Sequence, residues 1–218
     1  MPEPLNQPRI IPWRGFRKLG GRPLRAVILD NDETTGFYIA LEFLINSAIQ
    51  RGLPFEHAVS FIHDQLNTIN AFRPGLYEFL RYILYLRQSG SIDAIIMYTN
   101  MVPGRCIRGP GPACYPNADI LAAVFDRIVG TKFFNLLIVR SGTLKPEKYI
   151  DFVLSVYNAN KNDMSKIVFF DDRPSYILYK RGPKPPHIYG IDAYTWWRKK
   201  RYPSTMRREI EYLNTIYE

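Results

Sequence analysis

The chain has 218 residues, a length that suits one domain or one domain with a small insertion. Its hydrophobic fraction of 46% is that of a folded globular chain and excludes a disordered one, and no apolar run approaches the roughly 20 residues that cross a bilayer. The formal charge of +9, from 29 basic and 20 acidic side chains, predicts a surface that attracts anionic partners such as phosphoproteins, nucleic acids or anionic lipids.

Met1 to Pro12 carries several prolines and no apolar signal core. Residues 1–23 read as an extended arm before a single domain over 24–218, and a cytoplasmic or nuclear location is the expectation. Leu24 to Leu29 reads as a buried strand running into Asp30-Asn31-Asp32-Glu33-Thr34. Along a strand, positions i and i+2 share a face, so Asp30 and Asp32 at a strand end can point into one small volume. Their repulsion would favour a cation or a shared proton there. Taken alone, the pair also fits a solvated turn, where aspartate is common.

Phe37 to Gln50 is apolar on nearly every side, and Gly52 stops it. Phe55, Ala58, Val59, Ile62, Leu66 and Ile69 recur at helical spacing. Segment 37–70 thus reads as a helical insertion after the first acidic cluster, placed over the site or against one sheet face. Pro74 and Gly90 bracket a helix over Leu76 to Gln88. Ile92 to Tyr98 reads as a strand running into Thr99-Asn100. The proline- and glycine-rich stretch Val102 to Pro116 cannot be regular helix or a central strand. It follows Thr99, so Arg105 and Arg108 are candidates to meet an anionic substrate at the rim. Cys106 and Cys114 lie in the same stretch without a histidine pair that would complete a zinc site; free thiols are the expected state, with a disulfide the alternative, unusual in a reducing compartment.

Asn117 is placed to cap a helix over Ala118 to Val129, which Gly130 ends. Leu136 to Val139 reads as a strand. Pro146 suits the first turn of a helix running to about Tyr157, which puts Lys145 at a helix N-terminus, a position that favours anions. Ile167 to Phe170 reads as a strand entering Asp171-Asp172-Arg173-Pro174. Trp196 to Tyr202 mixes aromatic and basic residues. It reads more simply as a solvated charge run than as a nucleic-acid surface. Ser204 is placed to cap a last helix whose Ile210, Leu213, Ile216 and Tyr217 form one apolar face. The alternation of strands and helices predicts an α/β fold with a parallel central sheet and helices on both faces. Ligands of such sheets bind beyond the carboxyl ends of the strands, where these polar clusters would meet.

The four clusters, in this order, resemble the motifs of the haloacid dehalogenase superfamily. Asp30 to Thr34 is similar to its Asp-x-Asp-x-Thr motif, Thr99 stands for the second-motif hydroxyl, Lys145 for the third-motif lysine, and Asp171-Asp172 for the acidic fourth motif. Phe72-Arg73-Pro74-Gly75-Leu76-Tyr77-Glu78-Phe79-Leu80 resembles the Arg-Pro-Gly-x-x-Glu-Phe-Leu stretch of the FCP/SCP-type phosphatases. That group includes RNA polymerase II C-terminal-domain phosphatases and NLI-interacting-factor-like proteins. Asp171 to Tyr176 is similar to that group's Asp-Asn-Ser-Pro segment. Three features depart from the pattern: Asp172 replaces the usual Asn, Asn31 the usual apolar residue, and segment 37–70 is helical where strands are more common.

The resemblance implies a Rossmann-like sheet with the first-motif strand central, and a Mg²⁺-dependent phosphomonoester hydrolase. Asp30 would be the nucleophile and Asp32 the acid and base, with Thr34 bracing the loop and Thr99 and Lys145 holding phosphoryl oxygens. Mg²⁺ would be held by the Asp30 carboxylate, the Asp32 carbonyl and Asp172, while Asp171 orients Lys145. Asn31, Asn100, Arg105 and Arg108 complete the expected substrate-binding set. The favoured substrate is phosphoserine or phosphothreonine on a protein. The alternatives are a small metabolite, a nucleic-acid end (possible but not favoured), and a non-catalytic adaptor. No membrane partner is expected, and the pattern carries no signal of oligomeric state.

Overall fold

A computed structural model describes residues 8–13, 15–101, 106–108, 114–139, 147–195 and 206–218. The expectations placed on residues 1–7, Arg105, Lys145, Pro146, 196–202 and Ser204 lie outside the described residues.

Six strands form the central sheet. They are β1 (Arg9–Pro12), β2 (Ala26–Leu29), β3 (Ala94–Thr99), β6 (Leu136–Val139), β8 (Ile167–Asp171) and β10 (His187–Gly190), in the order β1-β6-β3-β2-β8-β10. Two-stranded pairs are made by β4 (Ile107–Arg108) with β5 (Cys114–Tyr115), and by β7 (Lys148–Tyr149) with β9 (Ile177–Leu178). All neighbours in the main sheet are parallel except β1, which runs antiparallel to β6. The sheet is therefore mixed, which corrects the expectation of a wholly parallel one. The proline-bearing segment read as an arm supplies its edge strand, a place where a residue without an N–H is tolerated.

The internal strands are buried throughout because both faces are covered. Val27, Leu29, Ile95, Met97, Leu137, Val139, Val168 and Phe170 face one core. Ala26, Ile28, Ala94, Ile96, Tyr98, Leu136, Ile138, Ile167 and Phe169 face the other. The first core is closed by α1 (Leu41–Gln50), α2 (Phe55–Thr68), α3 (Leu76–Gln88), α4 (Asn117–Val129) and α6 (Arg207–Tyr217). The second is closed by α5 (Ile150–Tyr157) together with Leu19 and Leu24. Among the described residues, no helix is long and apolar enough to cross a membrane.

Segment 37–70 forms the predicted helix pair. Its helices pack on each other and on α4 and β4, so their apolar stripes join the first core. Helix α1 starts at Leu41, not Phe37, because the preceding backbone has other partners. The Phe37 N–H donates to the Ala71 carbonyl (2.7 Å) and the Tyr38 N–H to Asp32 Oδ1 (3.1 Å). Pro116, not Asn117, is the N-cap of α4, and Asn117 is the first helical residue. Helix α5 begins at Ile150, after the short strand β7, so the reading of a helix from Pro146 is too long. Cys106 is disulfide-bonded, contrary to the free thiols expected, and no described cysteine is free.

Phe79 of α3 meets Phe170 of β8 edge to face, with ring centroids 5.2 Å apart, and Tyr189 of β10 also packs on Phe170 at 5.2 Å. This stack ties the helical layer to the strand that ends in Asp171. Phe79→Ala should cost roughly 3–5 kcal/mol, the usual range for emptying a buried aromatic site; urea denaturation followed by circular dichroism measures it.

Candidate functional site

The register of the sheet assembles the site. Leu29 of β2 stands level with Met97 of β3 and with Phe170 of β8. The next residues, Asp30, Tyr98 and Asp171, therefore leave three adjacent parallel strands at one edge. Side chains alternate along a strand, so these three turn away from the first core towards the side covered by α5. Chain order reverses beside β2: β3 and β6 lie on one side of it, β8 and β10 on the other. Such a switch point leaves a crevice beyond the strand ends. Here a cavity of about 360 Å³ opens, lined by Asp30, Asp32, Thr99, Lys148, Asp171 and Asp172 among others.

At its base, Lys148 Nζ lies 2.8 Å from Asp30 Oδ1 and 2.6 Å from Asp171 Oδ2, and all three side chains are buried or nearly so. Strand β7 brings the lysine there. Its partner β9 holds it in register, Lys148 opposite Ile177, and the Tyr149 N–H donates to the Tyr98 hydroxyl (3.2 Å). Burial alone would lower the Lys148 pKa, but Asp30 and Asp171 outweigh it and the net direction is up, so the ammonium stays charged. Burial pushes the Asp30 carboxyl up to about 7, with help from Asp171 and Asp172 and against the pull of Lys148. Among the described residues, the lysine that reaches the carboxylates is Lys148. Lys145, the residue read from the sequence, lies outside the described residues.

Asp171 engages both of its oxygens. Oδ2 takes Lys148, and Oδ1 accepts the Arg173 N–H (2.7 Å). Asp172 is held by Thr34: the Asp172 N–H donates to Thr34 Oγ1 (3.0 Å), and that hydroxyl lies 3.4 Å from Asp172 Oδ1. One carboxylate oxygen from each of Asp30, Asp171 and Asp172 falls within 4.8 Å of the others, an arrangement that can hold a metal ion. Burial, then the neighbouring Asp171, raise the Asp172 carboxyl pKa, while Arg173 opposes them.

Strand β2 ends at Leu29, so Asp32 reaches the cavity through a turn and not through the face-sharing of a strand. The Thr35 N–H and hydroxyl both donate to the Asn31 carbonyl (2.9 and 3.0 Å), and Glu33 takes a left-handed conformation at φ 61°. Asp32 presents an open surface at the mouth. Crowding by the surrounding loop still desolvates its carboxylate and raises its pKa, Glu33 adds to this, and the Tyr38 N–H and Arg173 oppose.

The remaining expected residues divide. Thr99 is buried on the cavity wall, its Oγ1 accepting the Met101 N–H (3.2 Å), and Asn100 also lines the wall. Asn31, expected to bind substrate, is fully buried and is not among the residues that line this cavity. Arg108 is exposed on β4 and does not line it either. Arg105 lies outside the described residues.

Several residues that shape the site escaped the sequence reading. Arg73 is buried and its guanidinium donates to the carbonyls of Thr34 (2.6 Å), Glu33 (2.9 Å) and Asp192. It clamps the loop and is not among the residues that line the cavity. Gly36 is required by space: a Cβ there would sit 2.6 Å from the Ala71 carbonyl oxygen. The only sequence signals were the Arg-Pro-Gly stretch for Arg73 and a glycine close after an acidic turn. Asn117 lines the cavity at the first turn of α4.

No protein-family model matches the chain, and no curated protein matches it.

The geometry makes Lys148 a structural as well as a chemical residue. Lys148→Met should cost roughly 3–5 kcal/mol, because it leaves two carboxylates buried without their cation. The Asp30 carboxyl, pushed up to about 7 by burial even against the pull of Lys148, would then take up a proton on folding. A group whose folded pKa lies above its unfolded value favours the folded state as pH falls through the folded pKa. The variant should therefore recover stability relative to wild type between pH 8 and pH 5 in metal-free buffer, as read by urea titrations at each pH.

Proposed function

We propose that the protein is a Mg²⁺-dependent phosphomonoester hydrolase of the haloacid dehalogenase type, working through an aspartyl-phosphate. The observation that carries this reading is the buried Asp30–Lys148–Asp171 bridge at the carboxyl ends of adjacent parallel strands, with Asp172 and Asp32 beside it. The motif resemblance of the sequence agrees with it. In the same reading the sheet is the Rossmann-like sheet of that superfamily, with β2 as its central strand.

The donor set fits the ion. Mg²⁺ is a hard cation that takes oxygen ligands and keeps several waters, and the cluster offers carboxylate oxygens only. Asp171 already spends both oxygens on Lys148 and the Arg173 N–H. Asp30 and Asp172, with the Asp32 main-chain carbonyl, are the residues that would hold the ion. When bound, it would polarise the phosphoryl group and neutralise its charge.

Asp30 attacks phosphorus in line and forms the new P–O bond as the bond to the leaving oxygen breaks. Asp32, at the cavity mouth with a raised pKa, gives its proton to the leaving oxygen. It then takes a proton from the water that attacks the aspartyl-phosphate, which frees Asp30 and releases inorganic phosphate. Lys148 keeps a fixed positive charge against the reacting carboxylate, and Thr99 offers its hydroxyl from the wall. In this reading Lys148 fills the role that the motif resemblance implies for Lys145. Phosphoserine or phosphothreonine on a protein is the favoured substrate, on the similarity of the Phe72 to Leu80 stretch. The complete set of acidic residues and the lysine speaks against a non-catalytic adaptor.

Hydrolysis of p-nitrophenyl phosphate with and without Mg²⁺ tests the reading. Wild type should turn over only with the metal and lose activity in EDTA, while Asp30→Asn and Asp32→Asn should each fall by at least about a thousandfold, in line with loss of a nucleophile or an acid-base group. Full activity in either variant, with its fold intact by circular dichroism, would refute the assignment.

A further inference from the structure

Six carboxylates line the cavity (Asp30, Asp32, Glu33, Glu42, Asp171 and Asp172) against two cations, Lys148 and Arg173, among the described residues. An incoming phosphate dianion needs positive charge there. Lys148 is buried at the base and divided between Asp30 and Asp171 at short distance. Arg173 is held differently. Its main chain is fixed, since its N–H donates to Asp171 Oδ1 and a 3-10 turn starts at Pro174. Its side chain is 61% exposed at the rim and its contacts are long: Nε to Asp172 Oδ2 at 3.3 Å and an Nη to Glu33 Oε2 at 3.6 Å. Asp172 is nearly buried and Glu33 partly so, but the guanidinium itself stands in solvent and its contacts are long, so water screens the pairs and holds them loosely. A guanidinium also matches phosphate oxygens with a two-pronged donor geometry.

Resting on the hydrolase reading above, the geometry points to Arg173 as the anion-capturing residue of the cavity, parked on Asp172 and Glu33 until a divalent cation takes its place at Asp172. Asp172 is shared between the two cations. While Arg173 sits on it, the arginine competes with a metal ion; once a metal ion occupies it, the guanidinium is released towards the phosphate of a phosphomonoester. Metal and phosphate binding are thereby coupled through one side chain, and the arm selects for dianionic phosphate over neutral esters.

The signature is a pair of opposite shifts. In calorimetric titrations of the full chain with Mg²⁺ alone, Arg173→Gln should bind the ion about threefold to tenfold more tightly than wild type, since an exposed competing charge has been removed. With Mg²⁺ saturating, the same variant should bind inorganic phosphate about fivefold to tenfold more weakly, the loss of a charge-assisted contact in partly solvated surroundings. Arg173→Lys, which keeps the charge without the fork, should restore Mg²⁺ affinity to the wild-type value and only part of the phosphate affinity. A structural role alone would weaken both ligands together, and that result would overturn the inference, as would unchanged phosphate affinity in Arg173→Gln. Either result beside normal wild-type turnover of p-nitrophenyl phosphate would leave the hydrolase reading standing. A wild type that neither binds phosphate nor hydrolyses the ester would overturn both.

Discussion

The bridge from Lys148 to Asp30 and Asp171 is the constraint on which the site depends. Two carboxylates at the ends of neighbouring strands cannot both stay charged in a buried place without a cation between them. The lysine supplies it at 2.8 and 2.6 Å, and burial makes the attraction strong and the loss of either partner costly. The lysine is therefore fixed as firmly as a core residue. It arrives on a two-residue strand whose register with β9 and whose bond to the Tyr98 hydroxyl set its height above the sheet.

The rest of the site hangs from this bridge and from one loop. After β2 the chain turns sharply through Asn31, Glu33 and Gly36 and is bolted down by Arg73, which satisfies carbonyls of Glu33 and Thr34 and reaches across to Asp192. Tyr194 adds a bond from its N–H to the Glu33 carbonyl (2.7 Å). A buried carbonyl without a donor is costly, so the arginine that satisfies the Thr34 carbonyl, and reaches those of Glu33 and Asp192 as well, helps define the loop shape. Thr34 then couples the loop to Asp172 by two contacts. The polar ends of β2 and β8 are joined in this way into one rigid floor. The exposed charge, Arg173, stands at its edge.

Much of this was legible in the sequence. Apolar runs ending in acidic or hydroxyl residues marked β2, β3 and β8, because strands buried on both faces need such runs and a strand end is where polar groups can begin. Helices α2 and α3 followed from the spacing of their apolar residues and from the glycine and proline at the bounds of α3. Lys145 lies outside the described residues; the described lysine at the carboxylates, Lys148, arrives on a strand that only pairing with Ile177 and Leu178 reveals, where the sequence reads a helix from Pro146. Asn31, in the expected substrate-binding set, is fully buried in the turn that presents Asp32.

The sequence by itself determined the alternation of strands and helices, the positions of the acidic clusters and the excess of positive charge, since these follow from residue type and local period. The tertiary structure alone decided which lysine meets the carboxylates, which asparagine leaves the wall and how Arg73 is spent. It also decided that the proline-bearing arm closes the sheet as an antiparallel edge. Each of these depends on partners distant in the chain, and the pairing of distant segments is governed by register and burial that no local pattern encodes.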